Sequence, residues 1–332
     1  MSFWKDKKVL VTGGAGFIGS NLCKNLVLEG SNVVIVDNFE RGKVEYVQEI
    51  LDSCKLIEGD LKDVSFCEEI FTSDVDIVIH MASKVGGVGL YTSQPHTVMR
   101  ENMLIDSNVL KSVLHNNIKR YFYASSAHIY PKQLQGTPNS IAIREYHAYP
   151  ADPELSYGWA KLISEKEIEC ALIERPDLCV AIARYIGIYG ENQDFNLETG
   201  SCIPVFTNRA INYPQIPFSV WGTGRETRSY CFIDDAIECT KLMIEKMEEK
   251  NQVGPYNVGK QERVSIKELA EAVIKTSGKE IDIEFDLTKE TLIWGQWCDC
   301  SKAKQEIGFE AKTSLQEGLK RVYNDIQGRI KK

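Results

Sequence analysis

The sequence predicts an α/β protein whose main domain is a doubly wound parallel sheet, joined to a smaller mixed α/β lobe. Short β-branched runs alternate with helical patterns through the first half of the chain. A glycine-rich turn joins the first of these runs to the first helical pattern. After about Tyr185 the alternation stops, and prolines divide the chain into shorter segments. Strand–helix alternation of this kind specifies parallel strands with helices on both faces of the sheet.

The elements of the main domain follow one another in order along the chain. Buried strands are predicted at Val9–Thr12, Asn32–Val36, Lys55–Ile57, Asp76–His80, Arg120–Ala124 and Cys179–Ala183. Helical patterns between them include Phe17–Glu29 and Val98–Asn116. Ligands of such a sheet bind beyond the carboxyl ends of its strands, near the point where the strand order reverses. We therefore expect the functional residues in the turns that follow the strands.

The second part of the chain predicts a smaller lobe. We divide the chain into a sheet domain of residues 1–186 and a lobe of residues 187–332, with segments exchanged between the two. Helical patterns in the lobe cover Asp234–Glu248, Ser265–Thr276 and Ser314–Ile326. Carboxylates suit the positive end of a helix, so Asp234 and Asp235 are expected to begin the first of these helices.

Composition restricts the class of partner. The chain of 332 residues carries a formal net charge of −8, whereas nucleic acids and anionic membranes are bound by basic faces. No apolar run approaches the ~20 residues of a membrane span, and the first residues do not resemble a signal peptide. The ten cysteines lack the spacing of a zinc site or a disulfide framework. We expect a cytoplasmic protein with no nucleic-acid, membrane or metal partner.

The turn after the first strand has the features of a dinucleotide site. Gly13, Gly16 and Gly19 stand three residues apart between the strand and the first helix. Glycines let the turn tighten and let backbone amides, here those of Phe17 and Ile18, approach a pyrophosphate at the positive end of the helix. This context predicts a Rossmann-type dinucleotide-binding domain.

Acidic residues after the next two strands indicate which dinucleotide binds. Asp37 ends the second strand, 18 residues beyond Gly19, and a carboxylate there accepts hydrogen bonds from the ribose hydroxyls. It also repels a 2′-phosphate, so the prediction is NAD, with Asn38 beside it. Arg41 keeps NADP open as a second option. Asp60 and Leu61 are predicted next to the adenine, although a carboxylate there is also typical of a helix cap.

A tyrosine–lysine pair supplies the predicted catalytic groups. Tyr157 and Lys161 lie four residues apart on a helical pattern that continues to Glu169, so they share one face. A nearby ammonium stabilises phenolate, and we therefore expect a lowered pKa for Tyr157 and a role as base. Ser125 and Ser126 end the strand before this helix and are expected at the same cleft. Ala82, after the fourth strand, and Ser125 are expected to contact the cofactor.

The glycine spacing resembles the short-chain dehydrogenase/reductase superfamily in its extended form. Four longer strings are similar to one branch, the GDP-mannose 3,5-epimerases: residues 81–89 (MASKVGGVG), 123–131 (YASSAHIYP), 148–153 (AYPADP) and 221–229 (WGTGRETRS). This resemblance runs from Lys7 to about Gly308. It implies oxidation at C4 of a GDP-hexose by bound NAD, inversion at C3 and C5, return of the hydride, and a homodimer. It also implies that Ser126 hydrogen-bonds the reacting sugar oxygen.

Two positions depart from that branch. His128 stands where the family has its proton-transfer cysteine, and Cys202 stands where it has the partner lysine. A histidine carries protons at neutral pH and can replace the thiol. Cys202 is a candidate acid/base group or a lining residue. The residues that we expect to contact substrate are Gly87, Val88, Ser126, His128, Arg184, Cys202, Arg225 and Arg228. Either Arg225 or Arg228 is expected to hold the diphosphate, since a guanidinium fork suits phosphate oxygens.

Three functions follow as hypotheses. The first is an NAD-dependent epimerase acting on a GDP-hexose or GDP-heptose through a 4-keto intermediate. The second is a GDP-sugar 4-dehydrogenase that releases the keto sugar and needs separate recycling of its cofactor, because the usual epimerising pair is missing. The third, which the intact Ser126, Tyr157 and Lys161 set disfavours, is a protein that binds the dinucleotide without catalysis.

Overall fold

A computed structural model describes residues 2–137, 140–289 and 293–331, without the side chain of Val88. Its strands are β1 (Lys8–Thr12), β2 (Asn32–Asp37), β3 (Cys54–Glu58), β4 (Ile77–His80), β5 (Arg120–Ser126), β6 (Cys179–Tyr185), β7 (Ile188–Tyr189), β8 (Ser219–Trp221), β9 (Thr227–Arg228), β10 (Cys231–Phe232), β11 (Gln252–Val258), β12 (Val264–Ser265), β13 (Glu284–Asp286) and β14 (Gly295–Gln296). Its helices are α1 (Phe17–Leu28), α2 (Val64–Ile70), α3 (Val88–Ser93), α4 (Pro95–His115), α5 (Ser156–Glu174), α6 (Cys202–Ile211), α7 (Ile233–Glu245), α8 (Ile266–Ser277), α9 (Ser301–Ile307) and α10 (Leu315–Ile330).

The main sheet confirms the predicted fold class. Seven parallel strands lie in the order β11-β6-β5-β4-β1-β2-β3. The chain builds outward from β1 to β3 on one side and from β4 to β6 on the other. The strand order therefore reverses between β1 and β4, where their carboxyl ends open a crevice. The turn after β1 and the loop after β4 lie at that crevice.

Side chains alternate between two cores on opposite faces of the sheet. Val9 and Val11 of β1 belong to the larger core, while Leu10 between them belongs to the second core. This alternation follows from the pleat of a strand. Helix α4 contributes Ile105 and Val109 to the second core, because residues four apart lie on one helix face. Helices α1 and α7 cover the other face.

The C-terminal part forms a smaller lobe of short strands and helices. Its sheets pair β12-β9-β14, β13-β8 and β10-β7. Strand β11, from this part of the chain, instead pairs with β6 in the main sheet. No helix of the described ranges is long and apolar enough to cross a membrane.

Helix α6 is not among the predicted helices, because a proline inside a segment usually indicates that a helix is interrupted there. Pro204 lies in the first turn of this helix, where a backbone N–H has no partner within the helix and its loss costs little. Helix α7 begins at Ile233 with Asp234 and Asp235 in its first turn, as predicted. The predicted extension to Glu248 is a separate 3₁₀ turn.

Candidate active site

The turn after β1 is shaped so that only glycine fits at two positions. Gly13 has a φ of +65°, and a Cβ there would lie 2.8 Å from the Cα of Ala82 in the loop after β4. A Cβ on Gly19 would lie 2.1 Å from the carbonyl oxygen of Gly13. The two loops of the crevice therefore approach each other backbone to backbone, and the turn lies directly against helix α1.

The start of α1 provides the chemistry for a bound pyrophosphate. Gly16 is the extended residue that precedes the helix, and the amides of Phe17 and Ile18 belong to its first turn. Such amides lack carbonyl partners within the helix and point toward a ligand, at the positive end of the helix dipole. The close glycine backbone and these donors fit the diphosphate of NAD.

Asp37 ends β2 and organises the neighbouring loop. Its carboxylate accepts hydrogen bonds from the amides of Ala15 and Phe39, each at 2.9 Å. Burial raises the pKa of Asp37, although these backbone donors act in the opposite direction. A carboxylate has about four acceptor positions, so some remain for ribose hydroxyls. Asn38 is exposed beside it and caps its own turn by accepting from the amide of Glu40.

Arg41 and Asp60, which were predicted near the ribose and the adenine, both contact other protein groups. Arg41 donates to Asp194 at 3.0 Å and to the carbonyl of Val85 at 3.2 Å, which ties its guanidinium to other parts of the protein rather than to the ribose. Asp60 accepts from the amide of Lys62 and does not cap a helix, because Asp63 is the residue that caps α2.

Leu61 is buried beside Asp60, and its carbonyl accepts from the side-chain amide of Asn108 on α4. Its place after β3, on the same edge of the sheet as the turn after β1, is where the sequence expected the adenine contact. That contact remains a prediction.

Tyr157 lies in the first turn of α5, almost fully buried. The side chains of Ser83 and Ser126 lie near its hydroxyl and act to lower its pKa. Gly158 brings the helix against the loop after β5, because a Cβ there would lie 2.0 Å from the carbonyl oxygen of His128. The predicted lowering of the tyrosine pKa is wrong for this structure. Burial raises the pKa of Tyr157 to about 12, and the two serines only partly offset it.

Lys161 explains why that expectation failed. Its Nζ lies 3.5 Å from Oδ2 of Asp106 and 4.6 Å above the ring centre of Tyr123. Burial lowers the pKa of Lys161, and Asp106 opposes that shift. The ammonium charge is therefore paired with a carboxylate, and without a bound cofactor it does not outweigh the effect of burial on the pKa of Tyr157. When bound, NAD supplies the hydride acceptor and a further positive charge.

The two serines at the end of β5 have different partners. Ser126 accepts a hydrogen bond from the amide of His128 at 3.2 Å and also contacts Tyr157. Ser125 donates to the carboxylate of Glu165 on α5. The structure thus places Ser126 with the tyrosine and uses Ser125 to join the strand to the helix.

Arg184 forms a buried ion pair with Glu165. Its guanidinium donates to both oxygens of Glu165, at 3.0 and 2.6 Å, and to the carbonyl of Glu145 at 2.7 Å. Only 3% of the residue is exposed, so these contacts occupy most of its donors. Arg184 joins β6 to α5 and to the loop before it, and we do not include it among the proposed substrate contacts.

His128 packs beside two stacked aromatic rings, those of Tyr91 and Tyr157. Its ring centre is 5.8 Å from that of Tyr157 and 6.2 Å from that of Tyr91. Burial, followed by the positive charge of Arg228, lowers the pKa of His128 to about 4. The imidazole is therefore neutral at physiological pH. One of its ring nitrogens carries no hydrogen and can accept a proton.

Residues of the lobe also lie near His128, since the charge of Arg228 acts on it. Cys202 begins α6, and its Sγ lies 3.2 Å from the hydroxyl of Tyr230. Burial raises the pKa of both the Cys202 thiol and the Tyr230 phenol. Arg228 donates to the carbonyls of Thr227 and Ile293, and its charge acts on His128 and Cys202 alike. It therefore lies within electrostatic range of both candidate proton-transfer groups.

The remaining predicted contacts lie on loops. Arg225 is exposed in the turn between β8 and β9. Gly87 precedes α3, and a Cβ there would lie 3.4 Å from the carbonyl oxygen of Glu198 in the lobe. The side chain of Val88 is outside the described residues. Ala82 donates its amide to the hydroxyl of Thr12, which holds the loop after β4 next to the glycine turn.

Two further residues, Ser83 and Asn102, belong to the site. Ser83 contacts Tyr157 and donates to Asn102 at 2.6 Å. Asn102 also accepts from the amide of Lys84 at 2.8 Å, so it holds the loop after β4 from helix α4. The signal in the sequence is a serine three residues after the buried strand β4, together with an asparagine on helix α4.

Comparison with known proteins identifies similar sequences across nearly the whole chain. Residues 9–259 match the NAD dependent epimerase/dehydratase family. A GDP-mannose 3,5-epimerase of Arabidopsis thaliana is 30% identical, over 99% of this chain and 85% of its own length. A UDP-N-acetyl-alpha-D-glucosaminuronate decarboxylase of Bacillus cytotoxicus is 30% identical, over 95% of this chain and 96% of its own.

A solved structure shares the fold. The UDP-glucose 4-epimerase of Thermotoga maritima, crystallised with UDP-glucose, superimposes with a TM-score of 0.86 at 25% sequence identity. The match covers 97% of this chain and 99% of that one. The chain therefore has the same overall fold as this solved structure.

Proposed function

Because the chain belongs to the NAD dependent epimerase/dehydratase family and is an NAD-dependent enzyme of the short-chain dehydrogenase/reductase superfamily, we propose that it epimerises a GDP-hexose or GDP-heptose. The reaction begins with oxidation at C4 of the sugar. It proceeds through a 4-keto intermediate, whose neighbouring hydrogens are acidic, and ends when the hydride returns.

One observation carries this proposal. Tyr157, Ser126 and Ser83 lie close together at the crevice where the strand order reverses, and His128 lies against the tyrosine ring. Such a group can hold one hydroxyl oxygen between a tyrosine and a serine. A neutral imidazole beside it provides a second site for proton transfer.

The proposed roles follow from the protonation states. Tyr157 takes the proton from the C4 hydroxyl while Ser126 hydrogen-bonds the same oxygen. Lys161 favours the ionised phenol electrostatically. Neutral His128 then removes a proton from the carbon next to the ketone. Cys202, still protonated because burial raises its pKa, is the group that could return a proton from the other side.

Fewer observations support the guanine base of the proposed substrate than support the oxidation at C4. The strings of the loops after β4 and β5 and of the turn before β9 are similar to GDP-mannose 3,5-epimerases, and one relative of that name matches at 30% identity. Relatives named for UDP-sugars match at similar identity. In our proposal Arg228 holds the diphosphate, since its positive charge acts on both His128 and Cys202, and the exposed Arg225 lies three residues before it in the chain.

A second candidate is a GDP-sugar 4-dehydrogenase that releases the keto sugar. It is favoured by the replacement of the usual cysteine and lysine by His128 and Cys202, and by the hydrogen bond that joins Cys202 to Tyr230. If that thiol does not reach the substrate, inversion stops after oxidation. A protein that binds the dinucleotide without catalysis is disfavoured by the intact group around Tyr157.

The two reactions differ in deuterated water. Purified protein would be incubated with GDP-, UDP- and dTDP-sugars, and the products analysed by NMR and mass spectrometry. Epimerisation predicts solvent deuterium at C3 or C5 of a GDP-sugar, with no net reduction of NAD. A keto product with accumulating NADH and no exchange would support the dehydrogenase. In His128→Ala, we expect oxidation to remain and exchange to fall.

We also propose a homodimer in the cytoplasm. Helices α4 and α5 pack side by side, and Met103 and Ile163 on them are each 37% exposed, which leaves apolar area for a second copy. All ten cysteines are described, and each is a free thiol, as suits a reducing compartment. Sedimentation of the purified protein tests the dimer directly.

A further inference from the structure

The buried carboxylate of Asp106 lies next to the catalytic lysine and has no role in the reaction proposed above. Asp106 lies on α4 and is 2% exposed. Its Oδ1 is 2.9 Å from Nε2 of His80. Its Oδ2 is 2.6 Å from the hydroxyl of Tyr123, 2.8 Å from that of Ser164 and 3.5 Å from Nζ of Lys161. One carboxylate thus joins β4, β5 and α5 beneath the cleft.

The hydrogen bonds around His80 fix its tautomer. The hydroxyl oxygen of Thr12 accepts from the amides of Met81 and Ala82, each at 3.2 Å. Its own proton is therefore directed to Nδ1 of His80, at 2.6 Å. That nitrogen is the acceptor, so Nε2 carries the hydrogen and donates to Asp106. His80 enters the network neutral, since burial lowers its pKa.

Asp106 is consequently the negative charge that balances Lys161. The other nearby carboxylate, Glu165, is taken up by the two-fold contact with Arg184. Burial disfavours an ammonium unless a carboxylate accompanies it, and removal of one partner of a buried pair leaves the other uncompensated. The neutral donors from His80, Tyr123 and Ser164 hold the carboxylate in its charged form.

We propose that Asp106 is a positioning residue, which keeps the Lys161 ammonium charged and directed at the floor of the cleft, so that the lysine can support ionisation of Tyr157. The proposal rests on the function assigned above to Tyr157 and Lys161. It adds that the lysine depends on a carboxylate from helix α4, and that this carboxylate is linked through His80 and Thr12 to the strand that carries the glycine turn.

Several other groups face this pair and would influence its titration. They are His80 from β4, Tyr121 and Tyr123 from β5, and Tyr157, Glu165 and Glu167 from α5. Apart from the glutamates, all are uncharged at neutral pH, because burial lowers the pKa of the histidine and raises those of the tyrosines. Loss of the Asp106 charge therefore leaves Lys161 with no carboxylate in hydrogen-bond contact among the described side chains.

The test is Asp106→Asn, with the rate of NAD reduction measured as a function of pH. The asparagine keeps the shape but not the charge, so Lys161 loses its proton at a lower pH. We expect the alkaline limb of kcat to move down by about one pH unit or more, and kcat at neutral pH to fall by about 100-fold, the range of an acid/base contribution. The KM for NAD should change little.

Ser164→Ala is the matched control, because it removes a neutral donor to the same oxygen and leaves the charge pair in place. Its alkaline limb should stay at the wild-type position. If Asp106→Asn keeps that position as well, Asp106 does not position the lysine and the inference is overturned.

A second measurement covers the case in which Asp106→Asn does not fold. Lys161→Met removes the charge that Asp106 balances, so the double variant Asp106→Asn/Lys161→Met should be more stable to heat than Asp106→Asn alone. Strictly additive losses of stability would contradict a charge pair. Tyr157→Phe separates the proposed function from the positioning role of Asp106. If that variant still reduces NAD, the proposed function fails, whatever Asp106 does.

Discussion

At the scale of single residues, burial decides the protonation state of nearly every group around the cleft. It keeps His128 neutral and the Cys202 thiol and Tyr230 phenol protonated at physiological pH. Tyr157 is also protonated, with a pKa raised to about 12, so its action as a base requires positive charge to be brought near it. The chemistry of this site is set by which charges accompany which buried group.

His128 should give the protein a measurable loss of stability in mild acid. Its pKa lies near 4 in the folded chain and near 6.5 in an unfolded one, so between these values the unfolded chain binds the additional proton. Stability is therefore full above about pH 6.5 and falls as pH decreases toward 4. We expect about 2 kcal/mol less free energy of unfolding at pH 5 than at pH 7 from this residue.

The measurement is urea unfolding of wild type and His128→Gln at both pH values. Glutamine does not titrate, so the variant should lose less stability over the same interval. His80 is also held neutral by burial and contributes to both proteins alike, so the difference isolates His128. Equal losses in the two proteins would show that the His128 imidazole is not desolvated as described.

At the scale of elements, the site depends on places where backbones touch. The turn after β1 meets the loop after β4 at Gly13, and helix α5 meets the loop after β5 at Gly158. These contacts bring the cofactor turn and the catalytic tyrosine to one crevice, although they come from distant parts of the sequence. A side chain at either glycine would separate the elements.

Gly19→Ala should damage the cofactor site with little change elsewhere. The new Cβ would lie 2.1 Å from the carbonyl oxygen of Gly13 and 2.7 Å from the Cα of Gly14, so the turn must move away from α1. We expect NAD affinity, measured by calorimetry, to fall by about tenfold or more, and stability to fall by about 1–3 kcal/mol.

Gly328→Ala is the matched substitution. Gly328 lies in α10, and a Cβ there meets no atom within 4 Å. Alanine is favoured over glycine in a helix, so this variant should gain about 0.5–1 kcal/mol and bind NAD as wild type does. If Gly19→Ala bound NAD as tightly as Gly328→Ala, the described turn would not be the pyrophosphate site.

At the scale of the whole molecule, the two parts of the chain share the main sheet and the larger core. Strand β11 completes the main sheet beside β6, and the indole of Trp4 donates to Glu245 on α7 at 2.7 Å. The larger core includes buried residues from Trp4 near one end to Ile326 near the other. We therefore expect that the boundary at residue 187 separates sequence patterns but not independently folding units.

A fragment of residues 1–186 should consequently fail to fold by itself. It lacks β11 and α7, so β6 becomes an open edge and the face of the sheet that α1 and α7 cover keeps only α1 of these two helices. Circular dichroism on heating should show no cooperative transition for the fragment and a cooperative one for the full chain. A fragment that melted cooperatively and bound NAD would mean that the sheet domain is independent.

The sequence patterns predicted the sheet well because its strands are buried on both faces and read as short apolar runs. The motifs also placed Tyr157, Ser126 and His128 in one group. Partners from distant elements could not be predicted, since the contact of Arg184 with Glu165 and that of Lys161 with Asp106 depend on how helices pack. The raised pKa of Tyr157 was missed for the same reason: it reflects burial and a counter-charge on another helix.

The central claim is that Tyr157 takes the proton when a nucleotide sugar is oxidised in this crevice. Its most direct test is the absorbance of reduced nicotinamide after NAD-loaded protein is mixed with nucleotide sugars, in wild type and in Tyr157→Phe. We predict that wild type forms reduced cofactor, at least transiently, with a GDP-sugar. The phenylalanine variant should bind NAD normally and reduce it at least about 100-fold more slowly. Equal rates in the two proteins would contradict the claim.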